Sequence, residues 1–315
     1  MAFLRFLAYH RTVSDRSAHD RRSPASEPSE MRARFAQLVS RPDPLIDLGA
    51  AWACISTEAD PLADPGSLVA ELVAELDALA ERVRARLDPS LRLAARPDGA
   101  IRTSGQLDTI LDALHDVLYG DLGLRAAPRD VWEPGHTYLD GVLFRRRGLP
   151  IALGLIELEV GWRVGLPLYG IGLPGHFIVG GPGGLLLDPY GGGRRLSAAD
   201  CRVLVLEATG RPLSIDRSVL RPATHREILA RLLGNLRGIF LARREWAGAL
   251  WVVEYLIVLE PADPGLRRDR ALLFGRVGRF TDAVEGLERY LAEVPDADDR
   301  DEVTLAIAIF GGRRN

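Results

Sequence analysis

The chain has 315 residues, 47% of them hydrophobic, and a formal net charge of -3, a length that exceeds the usual single core and predicts two domains. The near balance of charge argues against a nucleic-acid partner, which needs a clustered basic excess, and no apolar run reaches the roughly 18 residues of a membrane span. Cys54 and Cys201 are too few and too far apart for a disulfide framework or a zinc site.

No charged-then-apolar leader opens the chain, so cytoplasmic residence is expected; no motif points to a metal or cofactor, and none is expected. Every basic residue is arginine, none lysine, which reads as coding bias. Residues 1–30 turn rich in Ser, Arg, Asp and Pro after the first nine positions and predict a disordered tail, drawn as far as residue 35. The first helix-like pattern, "MRARFAQLV", begins at Met31, an alternative start. Residues 1–9 are too short for a stable membrane anchor.

From Pro44 to about Tyr119 three helical patterns follow one another and predict a helical subdomain. The clearest is 67–88, where Leu68, Leu72, Leu79, Val83 and Leu87 make one apolar stripe. "DPLADPG" at 60–66 and "ARPDGA" at 95–100 break the chain on either side. Cys54 sits among small apolar residues and is expected to be buried packing. His115 and His136 have no second His or Cys at ligand spacing, and Asp116 and Asp140 read as solvated surface positions.

"RRRGLPIALGLIELEVGWRVGLP" at 145–167 predicts a helix with Leu153, Ile156, Val160 and Val164 on one stripe and burial on more than one side. A strand of that length would be unusual. "LPLYGIG", "HFIVG" and "LLLDPYGGG" then read as antiparallel strands around turns at Pro174-Gly175 and Gly181 to Gly184. Pairing centred on Pro182 sets Val179 opposite Leu185 and His176 opposite Asp188, on one face and in hydrogen-bond reach. A one-residue slip would part them. "LSAADCRVLVLEA" at 196–208 predicts a helix with Ser197 and Asp200 as a capping box.

Offsetting 244–263 by 34 residues onto 278–297 superposes Trp246 on Phe280, Ala249 on Ala283, Glu254 on Glu288, Ile257 on Leu291 and Pro261 on Pro295. This is the tetratricopeptide period. Two units are fewer than a free-standing solenoid needs, and the expected role is binding or bracing a protein or peptide. The arginine runs at 145–147 and 267–270 read as solvated faces, with an acidic partner as the alternative.

A cysteine hydrolase or acyl transferase needs a thiolate, an imidazole that takes and returns its proton, and a carboxylate that fixes the tautomer. His176 and Asp188 supply the last two. The thiol commonly sits at a helix N-terminus, yet the helix before the hairpin opens on "GLPIALG", without Cys, Ser or Thr. Cys201 stands early in its predicted helix but follows the His and Asp in chain order, and packing is the competing role. A His/Asp pair that merely braces the hairpin, or a small-ligand pocket without chemistry, are the other readings, with Tyr190 and the glycines at 191–193 as rim or turn residues.

"GLPI" at 148–151, "GLP" at 165–167, "GLPGHFIV" at 172–179, "LLLDPYGGG" at 185–193 and "LARLLGNLRGIFLARREWAGAL" together resemble the SirB family over roughly residues 36–310. The resemblance implies an α+β protein: a helical N-terminal segment, a papain-like, transglutaminase-like domain with a small antiparallel sheet, then tetratricopeptide-like helices. The expected division is a tail at 1–35, the transglutaminase-like domain at 36–220 and the helical module at 221–315. The resemblance also implies that His176 and Asp188 match two members of a transglutaminase triad whose cysteine would fall near Pro150 to Ala152. Ala152 and Gly154 stand where the family usually has serines, and Glu157 where an aromatic is common. The expectation is a protein-interaction scaffold with a remnant His176/Asp188 dyad; the alternative is a hydrolase or acyl transferase that uses Cys201.

Overall fold

Side-chain caps set where the N-terminal helices begin. In the computed structural model, which describes residues 29–59, 64–97, 103–128, 133–216 and 218–313, Ser29 caps α1 (Glu30–Val39), Asp47 caps α2 (Leu48–Glu58) and Asp64 caps α3 (Pro65–Ala85). Each accepts from a backbone N–H that the first turn leaves without an intrahelical partner. Asp88 does the same for α4 (Pro89–Ala94), and Thr103 with Gln106 forms a capping box for α5 (Ser104–His115). A π-helical turn, Asp116–Asp121, continues α5. The tail expectation, drawn as far as residue 35, does not hold for residues 30–35, because α1 begins at Glu30 and buries Met31 and Phe35; the rest of that expectation lies outside the described residues, as do residues 60–63 of the first expected break and 98–100 of the second.

Two helices form the centre of the first unit, which extends to Leu229. α2 is built of small residues around Trp52 and is buried from Leu48 to Thr57. Trp52 donates its indole N–H to Thr137 O at 2.8 Å, and Ser56 Oγ accepts from Leu139 N at 2.8 Å. After α6 (Leu139–Arg145), α7 (Pro150–Arg163) is buried from Pro150 to Gly161. The expected stripe is therefore one side of a helix enclosed all round. Gly154 is where the strand His176–Gly180 comes close: a Cβ there would stand 2.5 Å from Phe177 Cδ1.

A two-stranded parallel pair joins β1 (Arg125–Ala126) to β2 (Arg147–Gly148). The main sheet is antiparallel in the order β3 (Tyr169–Leu173), β4 (His176–Gly180), β5 (Leu186–Asp188) and β6 (Arg194–Arg195). α7 packs on β4. From the sheet, Ile171, Leu173 and Ile178 form an apolar cluster with Cys201, Leu204 and Val205 of α8 (Ala198–Thr209), which starts at the expected Ser197/Asp200 capping box.

α9 (His225–Ala242) leads into the second unit, Ala230 to the C-terminus. There α10 (Trp246–Leu259), α11 (Pro264–Arg276), α12 (Phe280–Glu293) and α13 (Arg300–Gly311) follow. The 34-residue offset is a repeat of structure as well as sequence. α10 and α12 have equal length, and each follows a left-handed residue, Arg244 (φ 58) in one case and Gly278 (φ 82) in the other. Ala249 and Ala283, at the same place in each, are fully buried. The chain is thus mostly helical, with a small antiparallel sheet before tetratricopeptide-like helices.

Candidate functional site

The hairpin brings His176 and Asp188 together by a different register from the one expected. Val179 pairs with Leu187, not Leu185. A shift of two residues keeps each side chain on its face, because the strand period is two. Extending that register places Asp188 diagonal to His176 and Tyr190 directly opposite it. A long side chain bridges the diagonal: His176 Nε2 lies 2.9 Å from Asp188 Oδ1, and both residues are 2% exposed. Tyr190 meets the imidazole edge-on, ring centres 5.7 Å apart.

Burial pushes the Asp188 carboxyl up, but the His176 hydrogen bond and charge, the Gly191 amide and Arg194 together outweigh it and leave the group below its ordinary value. Arg194 Nε lies 3.2 Å from Oδ2. A carboxylate only accepts, so His176 Nε2 carries a proton and donates it to Asp188. Gly191 has to be small, since a Cβ there would stand 2.5 Å from Asp188 Oδ2.

Glu157 anchors a second polar group that sequence reasoning did not assemble. Fully buried on α7, it accepts from the Tyr119 hydroxyl, and its Oε1 lies 3.2 Å from His115 Nε2. Burial, then the charge and hydrogen bond of Glu157, hold the Tyr119 phenol well above its usual value. Gly193 lies against Tyr119 and His115, so the glycine turn after Asp188 touches this group too. The available signal was a carboxylate inside the apolar run "ALGLIELEVGW", which has to find partners when buried. His136 accepts from the Glu133 backbone through Nδ1. Asp140 is half-buried rather than plain surface, whereas Asp116 is exposed near Arg86.

Both thiols are buried and raised above their ordinary value. The first turn of α7 is Pro150, Ile151, Ala152 and Leu153, all buried. Cys54 lies inside α2, where burial pushes its thiol up to about 11. Cys201 is fully buried in the apolar cluster between sheet and α8; burial, then the charges of Asp200 and Asp188, raise its thiol. Among the described residues no hydrogen bond joins its sulfur to the His176 ring.

A cavity of about 710 Å³ opens beside the pair, with Tyr119, Arg125, Arg147, Tyr190 and Gly191 among its walls. His176 and Asp188 do not line it. Tyr190, fixed by donating its hydroxyl to Ala127 O, is the wall residue that also meets the imidazole. No helix among the described residues is long and apolar enough to cross a membrane.

Comparison with known proteins follows this architecture. The Transglutaminase-like superfamily pattern matches residues 70–234, just over half of the chain, and the Tetratricopeptide repeat pattern matches residues 236–308. A UPF0162 protein of Xylella fastidiosa (strain 9a5c) is 36% identical over 197 residues, 61% of this chain and 70% of the relative. A UPF0162 protein of Pseudomonas aeruginosa is 37% identical over 143 residues, 45% of this chain and 53% of the relative. Human F-box only protein 21 is 27% identical over 168 residues, 50% of this chain and 26% of its own.

Proposed function

Since the chain belongs to the transglutaminase-like superfamily, we propose that it is a non-catalytic member, a protein-interaction scaffold whose His176/Asp188 pair is a structural remnant of a triad. The observation that carries this reading is the first turn of α7. It holds Pro150, Ile151, Ala152 and Leu153, without a thiol or hydroxyl. The dyad can fix a tautomer, yet nothing stands there for the imidazole to deprotonate. The C-terminal tetratricopeptide-like helices supply the interaction role, since repeats of this kind generally bind proteins or peptides.

The competing reading gives Cys201 the nucleophile's part. A working thiol needs a depressed pKa and access; burial and two neighbouring carboxylates act on Cys201 in the opposite direction. Incubation with a glutaminyl peptide and a primary amine is expected to yield no transamidated or hydrolysed product. Turnover that disappears in His176→Ala would defeat the scaffold reading.

A further inference from the structure

The cavity beside the dyad has features that neither a packing role nor the scaffold reading uses. Arg125 and Arg147 are register partners in the parallel β1–β2 pair, so both side chains leave the same face from backbones about 4.8 Å apart. Like charges placed side by side destabilise a sheet. Elsewhere in the first unit arginines meet acids: Arg194 with Asp188, Arg145 with Glu133, Arg163 with Asp77 and Glu159. Among the described residues neither Arg125 nor Arg147 is paired with a carboxylate, in a chain where 43 acidic residues outnumber 40 basic ones.

Both guanidiniums are nevertheless held by backbone. Arg125 Nη1 donates to Tyr119 O at 2.5 Å and Leu124 O at 2.7 Å, and Arg147 Nη1 donates to Ala126 O at 3.2 Å. Each keeps further N–H donors, and a guanidinium presents these in a planar fork that fits a carboxylate. The remaining walls are apolar and fixed. Tyr119 and Tyr190 have committed their hydroxyls to Glu157 and to Ala127 O, so their rings are immobilised, and Leu124 adds an aliphatic surface. A volume of about 710 Å³ is in the range of small-molecule sites, which combine apolar walls with a few placed polar groups.

We propose that this cavity binds a small organic carboxylate with a flat apolar body, its carboxylate on Arg125 and Arg147 and its body against the tyrosine rings. The site goes beyond the scaffold reading and stands or falls separately from it. Benzoate is a suitable probe, benzamide its neutral counterpart and inorganic phosphate an anion without an apolar body. In ¹H–¹⁵N spectra of the full chain, benzoate is expected to shift the Nε–H signals of Arg125 and Arg147 saturably. Benzamide should shift them far less, phosphate should compete only weakly, and Arg147→Gln should raise the apparent Kd for benzoate at least tenfold. Absence of a saturable benzoate shift, equal response to benzamide, or unchanged binding by folded Arg147→Gln overturns the proposal. Tighter binding of phosphate than benzoate overturns the carboxylate assignment. If Arg147→Gln does not fold, the wild-type comparison of the three probes decides.

Discussion

Asp188 is a buried carboxyl held below its ordinary value. Its ionised form is held by His176, Gly191 and Arg194 against the cost of burial. A carboxyl depressed in the folded state contributes stability above its unfolded value near 4 and loses it as pH falls through the lower folded value. Asp188→Asn keeps an acceptor for His176 and loses the charge, so it is expected to cost about 1–3 kcal/mol at neutral pH. Urea denaturation of both proteins should show that difference shrinking below about pH 4. Cys201, with its thiol raised by burial, is expected to alkylate near neutral pH only as fast as the protein unfolds. Rapid native-state reaction, followed by mass spectrometry, would reveal an activated thiol. The meeting of His176 and Asp188 was legible because face parity survives a two-residue error in register. Tyr119 and His115 were not, since nothing in their own sequence surroundings points toward a carboxylate some forty residues further on.

At the scale of elements, close approach explains why position 154 of α7 is a glycine. Serine at position 154 would drive a Cβ into Phe177. Gly154→Ala is expected to destabilise by about 1–2 kcal/mol, the overpacking cost less the helix propensity gained. Combined with Phe177→Leu, it should lose less than the sum of the two single changes, a coupling that equilibrium unfolding measures. The repeat helices offer a second test. Gly278 and Arg244 are equivalent left-handed positions, so Gly278→Ala should cost about 1–2 kcal/mol, whereas Arg244→Gly should gain about 0.5–1 kcal/mol. Chemical denaturation curves distinguish these signs. The helices and their 34-residue spacing were readable from apolar periodicity and from Ala249 and Ala283. The burial of α7 on more than one side was readable too, from the nearly continuous apolarity of its sequence; which neighbours cover each side was not, because a sequence shows which faces are apolar without showing what packs on them.

For the whole molecule, a transglutaminase-like region stands before tetratricopeptide-like helices, and α7 opens on Pro150, Ile151, Ala152 and Leu153, without a thiol or hydroxyl. The order of a transglutaminase-like region before tetratricopeptide-like helices was legible from motifs that are local in sequence, such as "GLPGHFIV" and the offset repeat. The arginine pair lining the cavity was not, since its two members are 22 positions apart and meet only through β1–β2 pairing. The absence of lysine makes the chain well suited to a direct test, because side-chain amines cannot contribute background acylation. Intact-mass measurement after incubation of the native protein with p-nitrophenyl acetate addresses the central claim. The scaffold account predicts no cysteine adduct and no difference between wild type and His176→Ala; an acyl-cysteine that forms in the wild type and fails to form in His176→Ala would contradict it.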